Sequence, residues 1–411
     1  MLVSLIPLFD ENMAVSAYSI FSQKDNNLLN PLLMGTGVND GANNIPGLEV
    51  IQNMGIETLS DDKEVFVPVS NISIFADIES QCDAPHERLV LMIDRTIPPV
   101  DMYINRLQEL KSMGYKLAIR KLAVQEFESY RPVLQLMDYV FLNNKKIAID
   151  KAKIYFSKLY PNVKLCAGNI DTQEIFEELK ETGGYQLYEG EFYRVPVTKG
   201  QTDVAPLKVN YIELLNIVND ANFELTDAAD VIGRDTALTI KLLQMVNRMA
   251  YNSGITTIRH AAAMLGQTEL KKWINTAVVN ELYADKPNEV TRLSLLRAKM
   301  AEQLAPYFGL ATNTEELFLM GLFSVLNVIL EKTMEEALDM VQVSPDIKNA
   351  LISHKGKLAP VFDFIVQYES AAWQEVSRVM LLQKMDVNTV YEKYIESLRW
   401  YRQLTSGEAQ K

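Results

Sequence analysis

This 411-residue sequence predicts a barrel of eight strands and intervening helices, followed by an all-helical domain, and three observations carry that reading. From residue 65 to residue 188, short β-rich apolar runs recur about every 22–26 residues, the length of one strand–helix unit. Beyond Pro206 the apolar period changes to about 3.6 residues and stays there, as it does in amphipathic helices. Between the two patterns lies Pro196–Pro206, rich in Thr, Lys, Gly, Gln and Asp, which is the composition of a linker.

The candidate strands are Met1–Phe9, Ala14–Phe21, Val65–Val69, Arg88–Ile93, Lys116–Arg120, Asp138–Leu142, Val163–Ala167 and Tyr185–Tyr188. Strands separated by helices pair in parallel and close into a TIM-like barrel. The first two are joined only by Asp10-Glu11-Asn12, so they form a hairpin instead. Between Ile97 and Gly114, Met102, Leu107, Leu110 and Met113 fit one apolar helical face, and Gly114 is a natural stop. The segment from Gly35 to Asn44 contains a GxG without the strand-to-helix context of a nucleotide fingerprint, and it reads as a flexible loop. In the second half, Leu238, Leu242, Met245, Val246 and Met249 form a stripe that Asp235 or Thr236 can cap. Similar stripes occupy 289–306, 314–330, 358–368, 372–382 and 387–404. The expected domains are a barrel over 1–198, a linker over 199–207 and a helical domain over 208–411.

Composition narrows the function. Net charge is −13, with 19 Lys+Arg against 27 Asp+Glu in residues 1–200 and 21 against 26 in the remainder, so neither half carries the basic surplus that nucleic acid selects. Cys82 and Cys166 form no CxxC, and this suits a reducing cytoplasm. The start lacks the positive region of a signal peptide. The most apolar stretch, Leu317–Leu330, contains Ser324 and Asn327 and falls short of the roughly 20 residues that span a bilayer. It reads as a central helix of a packed domain. A cytoplasmic protein without membrane or nucleic-acid contact is expected.

The chemistry-bearing residues are sparse. His86, His260 and His354 are the only histidines, none is followed by Asp, and His260 reads as a helix-surface residue. There is no GxSxG, and neither cysteine has a histidine nearby in sequence. Tyr391, Tyr394, Trp400 and Tyr401 form an aromatic stripe that is expected to pack on the chain's own core.

Several segments resemble a known family. Leu8-Phe9-Asp10-Glu11-Asn12-Met13-Ala14-Val15-Ser16-Ala17-Tyr18-Ser19-Ile20-Phe21 is similar to the opening of EAL domains, and Tyr188–Pro196 to their close. Leu238–Asn247, Ile255–Gly266 and Phe318–Ser324 resemble HDOD domains. The order matches EAL–HDOD two-domain bacterial signalling proteins, whose helical half looks like an HD phosphohydrolase without its metal ligands. Active EAL domains hydrolyse cyclic di-GMP with two Mg²⁺ or Mn²⁺ at the C-terminal strand ends, where paired metals activate water.

Carried over position by position, the resemblance puts Ser19 at the signature Glu, Gln23 at the phosphate-binding Arg, Pro68 at the Asn ligand and Met92 at the next Glu. Arg120-Lys121 falls at the Asp pair, Phe141 and Asn143 at a Lys and an Asp, Gly168 and Asn169 at a Glu and a Lys, and Glu189 at the late Gln. Asp94, Asp171 and Glu189 are the acids left near the mouth, able to hold one hard cation or to pair with Arg120 and Lys121. The resemblance therefore implies no catalytic, cofactor-binding or metal residue, no cofactor, and a protein that is not an enzyme. Its expected function is a non-catalytic signalling scaffold that binds a protein partner. The alternative is a receptor that binds cyclic di-GMP or another nucleotide without hydrolysing it, which requires Arg120 and Lys121 to point into an open pocket.

Overall fold

The computed structural model describes residues 1–23, 44–196, 206–220, 222–233, 235–249, 255, 257–282 and 288–405. The Gly/Asn-rich stretch, apart from Asn44, and most of the expected linker lie outside the described residues. Two compact units are formed. One holds Met1–Val195, Gln303–Thr312 and Asp363–Lys411, and the other holds Pro196–Glu302 and Asn313–Phe362.

The first unit is built on eight strands: β1 (Leu2–Phe9), β2 (Val15–Gln23), β3 (Glu64–Pro68), β4 (Leu89–Asp94), β5 (Lys116–Arg120), β6 (Tyr139–Asn143), β7 (Lys164–Ile170) and β8 (Leu187–Gly190). They close in sequence order. β1 runs antiparallel to β2 and to β8, and every other neighbouring pair is parallel. The expected strands and the opening hairpin are thus present, with ends displaced by a few residues. The two-residue period of each strand sends alternate side chains inward. Leu8, Ala17, Phe66, Val90, Met92, Ala118, Tyr139, Phe141, Cys166 and Leu187 fill the interior. Phe66 anchors it, edge-on to Tyr139 at 5.0 Å and to Phe141 at 5.5 Å. At the N-terminal strand ends the Tyr139 hydroxyl donates to Glu64 Oε2 at 2.6 Å, and Lys116 pairs with the same carboxylate. That polar cluster closes one end of the barrel.

The helix Asp101–Ser112 buries Leu107 and Leu110 as the apolar spacing requires. Met102, expected on that face, is 57% exposed. It sits in the first turn, where the helix has only begun to descend along the barrel wall, and this corrects the expected stripe at its N-terminal end.

In the second unit, helix Thr236–Met249 buries Leu238, Leu242 and Val246, and the Leu238 amide donates to Asp235 Oδ1 at 3.0 Å. Asp235 is therefore a cap. Asn219 and Asn275 exchange two amide hydrogen bonds, at 2.8 and 3.1 Å, in the interior. The stretch Leu317–Leu330 is two helices and not the single central one expected, Thr314–Phe323 and Leu326–Leu330. Ser324 breaks it, because its hydroxyl bonds back to the Gly321 carbonyl at 2.7 Å and Val325 leaves helical geometry. Gly321 lies so close to the neighbouring helix that a Cβ there would stand 2.4 Å from the Ala298 amide nitrogen.

Gly190 ends β8 against β7, where an added Cβ would sit 2.0 Å from the Ile170 carbonyl oxygen. Backbone cannot yield as a side-chain tip does, so Gly190→Ala is expected to cost about 2 kcal/mol or more, in the range of overpacked cores. Thermal or urea unfolding checks this, with a change of less than about 0.5 kcal/mol as the contrary result.

Candidate functional site

Parallel strands bring their C-terminal ends to one face, which is where barrels of this kind carry their chemistry. Four of the residues placed by the resemblance, Met92, Arg120, Phe141 and Glu189, meet there, together with Phe21. β5 delivers Arg120 inward two residues after the buried Ala118, and β8 delivers Glu189 two residues after Leu187. Arg120 Nη2 donates to Glu189 Oε1 at 3.1 Å. The guanidinium lies 5.2 Å from the centre of the Phe21 ring and 5.5 Å from that of Phe141, with Met92 Sδ at 3.9 Å. Cation–π contact of this kind holds a planar cation well when it is partly desolvated. The pair is mostly buried, with side-chain exposures of 20% and 12%. Glu189 Oε2 is buried without a hydrogen-bond partner.

The other mouth acids are also engaged. Asp94 accepts from the Thr96 amide at 2.9 Å and the Thr96 hydroxyl at 2.6 Å, and Lys121 Nζ stands 3.6 Å away. Burial pushes the Asp94 carboxyl up, but the Thr96 bonds and the Lys121 ammonium outweigh it and hold the pKa below the ordinary carboxylate range. Asp171 pairs with Lys145 at 2.7 Å. Among the described residues, no three His, Cys, Asp or Glu side chains converge to hold a metal ion. The mouth therefore does not fit two divalent cations: a guanidinium occupies its centre, and each acid already has a cationic partner. Arg120, 20% exposed, is packed against Glu189, Phe21 and Phe141, and Lys121, 65% exposed, lies on the rim. Lys121 and Asn169 adopt left-handed φ values of 65° and 64°, which strain a side-chain-bearing residue, most of all at the lysine.

The remaining sequence candidates are dispersed. His86 stacks on Tyr115 at 4.2 Å and bonds through Nδ1 to the Met113 carbonyl at 2.8 Å. His260 is exposed on the helix Ile258–Leu282. Cys82 and Cys166 are buried free thiols, and burial pushes both pKa values up.

The helical unit has its own cleft, about 250 Å³, which no sequence motif announces. Lys272, Asn275, Glu302 and Phe318 line it. Lys272 pairs with Glu302 and holds its ammonium 5.1 Å from the centre of the Phe318 ring, and Lys299 bonds the same carboxylate at 2.8 Å. Burial raises the Glu302 carboxyl, yet the two lysines more than compensate and its pKa is lowered.

Two outcomes follow from these pairs. Arg120→Met leaves the Glu189 carboxylate buried and unpaired, so it should cost about 2–3 kcal/mol, a figure reduced for the residual exposure of the pair. Arg120→Met combined with Glu189→Gln should recover most of that loss in urea unfolding, and equal losses in the single and double variants would show no coupling. The lowered Glu302 pKa stabilises the fold above the ordinary glutamate value of about 4.3, and this is lost as pH falls through the folded-state value. Glu302→Gln should therefore show a flatter decline in unfolding midpoint between about pH 5 and 3 than the parent, whereas parallel curves would remove the assignment.

The HDOD domain model matches residues 204–349. The cyclic di-GMP phosphodiesterase CdgJ of Vibrio cholerae is 28% identical over 77% of this chain and 74% of its own length. The uncharacterized protein YuxH of Bacillus subtilis is 27% identical over 87% of this chain and 88% of its own. Among solved structures, a standalone EAL protein from Vibrio cholerae bound to cyclic di-GMP covers 47% of this chain and 90% of its own, at 13% identity and a TM-score of 0.36. The EAL-containing YkuI protein of Bacillus subtilis, with cyclic di-GMP and calcium, covers 61% and 69%, at 12% identity and a TM-score of 0.35. The CdgJ match overturns one expectation: missing motif residues led to a protein that is not an enzyme, and a relative aligned over most of this chain is a named phosphodiesterase. The chain joins a closed eight-stranded barrel to a helical segment that matches the HDOD domain model.

Proposed function

We propose that this chain works in cyclic di-GMP signalling by binding a protein partner and changing that partner's activity. The observation that carries the reading is the filled barrel mouth, where Arg120 pairs with Glu189 and packs on Phe21 and Phe141, beneath loops mounted on the barrel scaffold. The matched HDOD segment supports a signalling role, and the CdgJ relative supports the cyclic di-GMP context.

A second reading has its own support. The name of the CdgJ relative favours cyclic di-GMP as a substrate, and entry to the mouth would then require the Arg120–Glu189 pair to open. The two readings are compatible, because a docking surface and a ligand site can share one barrel.

One preparation tests both. Full-length protein isolated from its own cells should carry a protein partner at near-equal stoichiometry, and the partner's measured activity should change on addition of purified chain. Isolation without a partner, together with linear dinucleotide formed from cyclic di-GMP in Mg²⁺ or Mn²⁺, would contradict the first reading and establish the second.

A further inference from the structure

The barrel has an unusual weak side. Six of its strand pairings are parallel; five of their connections carry an α-helix and the sixth, from β3 to β4, carries short helical turns, but β1 and β2 are joined by a tight turn with no helix between them. Closure onto β8 is also thin, since the β1–β8 register contains only Phe9 opposite Tyr188. From Leu2 to Leu8, β1 therefore has a strand partner on one side only. An uncovered edge of this length exposes backbone donors and acceptors and invites pairing with other chains. Yet Leu2, Val3, Leu5 and Leu8 are all buried.

The cover comes from the far end of the sequence. The Val3 amide donates to the Tyr368 hydroxyl at 3.2 Å, and the Ser4 hydroxyl donates to the Glu369 carbonyl at 2.8 Å. Glu369 also pairs with Arg194, just beyond β8, at 3.4 Å. The ring of the fully buried Tyr368 packs 5.1 Å from Tyr394, on the helix Val387–Thr405. That helix runs on to Arg402, whose Nε donates at 3.0 Å to the carbonyl of Thr58, within the helix Ile56–Ser60 that precedes β3. The contacts thus reach β1, the chain after β8 and the approach to β3, which are the neighbours of the missing helix.

We infer that residues 363–405 are a strap that completes the barrel in place of a helix between β1 and β2, so that strap and barrel open as one cooperative unit. A barrel defined by the first 198 residues would have an open β1 edge, and the strap follows the HDOD-matched residues in the chain, returning to seal that edge. One aromatic residue of the last helix serves this closure: Tyr394 is buried against Tyr368.

Native-state hydrogen exchange on the full-length chain, read against urea concentration, tests the strap. Amides of β1 and of residues 387–405 should merge into one opening isotherm, separate from that of the helix Thr314–Phe323. Tyr368→Phe, which removes one hydroxyl and keeps the ring, should speed exchange at Val3 by about five- to tenfold, the effect of one lost hydrogen bond, and leave the helix Thr314–Phe323 unchanged. Exchange of residues 387–405 at lower urea than β1 would overturn the inference, as would a Val3 amide indifferent to Tyr368→Phe.

Discussion

A closed barrel demands that every strand edge be paired and every outer face be covered, and the rest of this structure follows from how that demand is met. Five of the six parallel connections meet it with local α-helices, and the β3–β4 connection with short helical turns. The β1–β2 hairpin cannot, and residues 365 positions away supply the missing contacts through Tyr368 and Glu369. The interior is set by the same geometry. Two-residue alternation stacks Ala118 below Arg120 and Leu187 below Glu189, and so fixes which side chains meet at the mouth.

What meets there is a charge pair in place of a cluster of acids. Arg120 and Glu189 neutralise each other between two aromatic rings and a thioether. Asp94 and Asp171 are held by Lys121 and Lys145 in the same manner, one strand end to the next. A mouth so arranged is a stiff platform for its loops, and this is the physical basis for reading the face as a surface for partners. The CdgJ relative, 28% identical over 77% of this chain, is a named cyclic di-GMP phosphodiesterase.

Much of this was legible in the sequence. Apolar runs marked all eight strands and regular spacing joined the last six, since burial on both faces of a parallel strand leaves a short continuous signal. Helix stripes such as Leu238, Leu242 and Val246 were equally plain. Arg120 could be placed at the mouth because it ends a strand, and its partner could be narrowed to Asp94, Asp171 or Glu189 but not chosen among them, as Glu189 lies 69 residues away and pairing across a barrel has no local signature. The break at Ser324 was hidden inside an apolar run, because a back-bonding hydroxyl looks like any tolerated serine. The docking of Tyr368 on β1 was hidden for the same reason as Glu189, and so was the cleft around Lys272, which depends on three separate helices.

A filled barrel mouth requires the Arg120–Glu189 pair to stay closed in solution. Side-chain NMR of the ¹⁵N-arginine-labelled protein measures it directly. A closed mouth predicts a distinct Arg120 guanidinium signal with slowed rotation and slow solvent exchange, abolished by Glu189→Gln. A fast-averaged Arg120 signal, indistinguishable from exposed arginines and unmoved by that substitution, would contradict it.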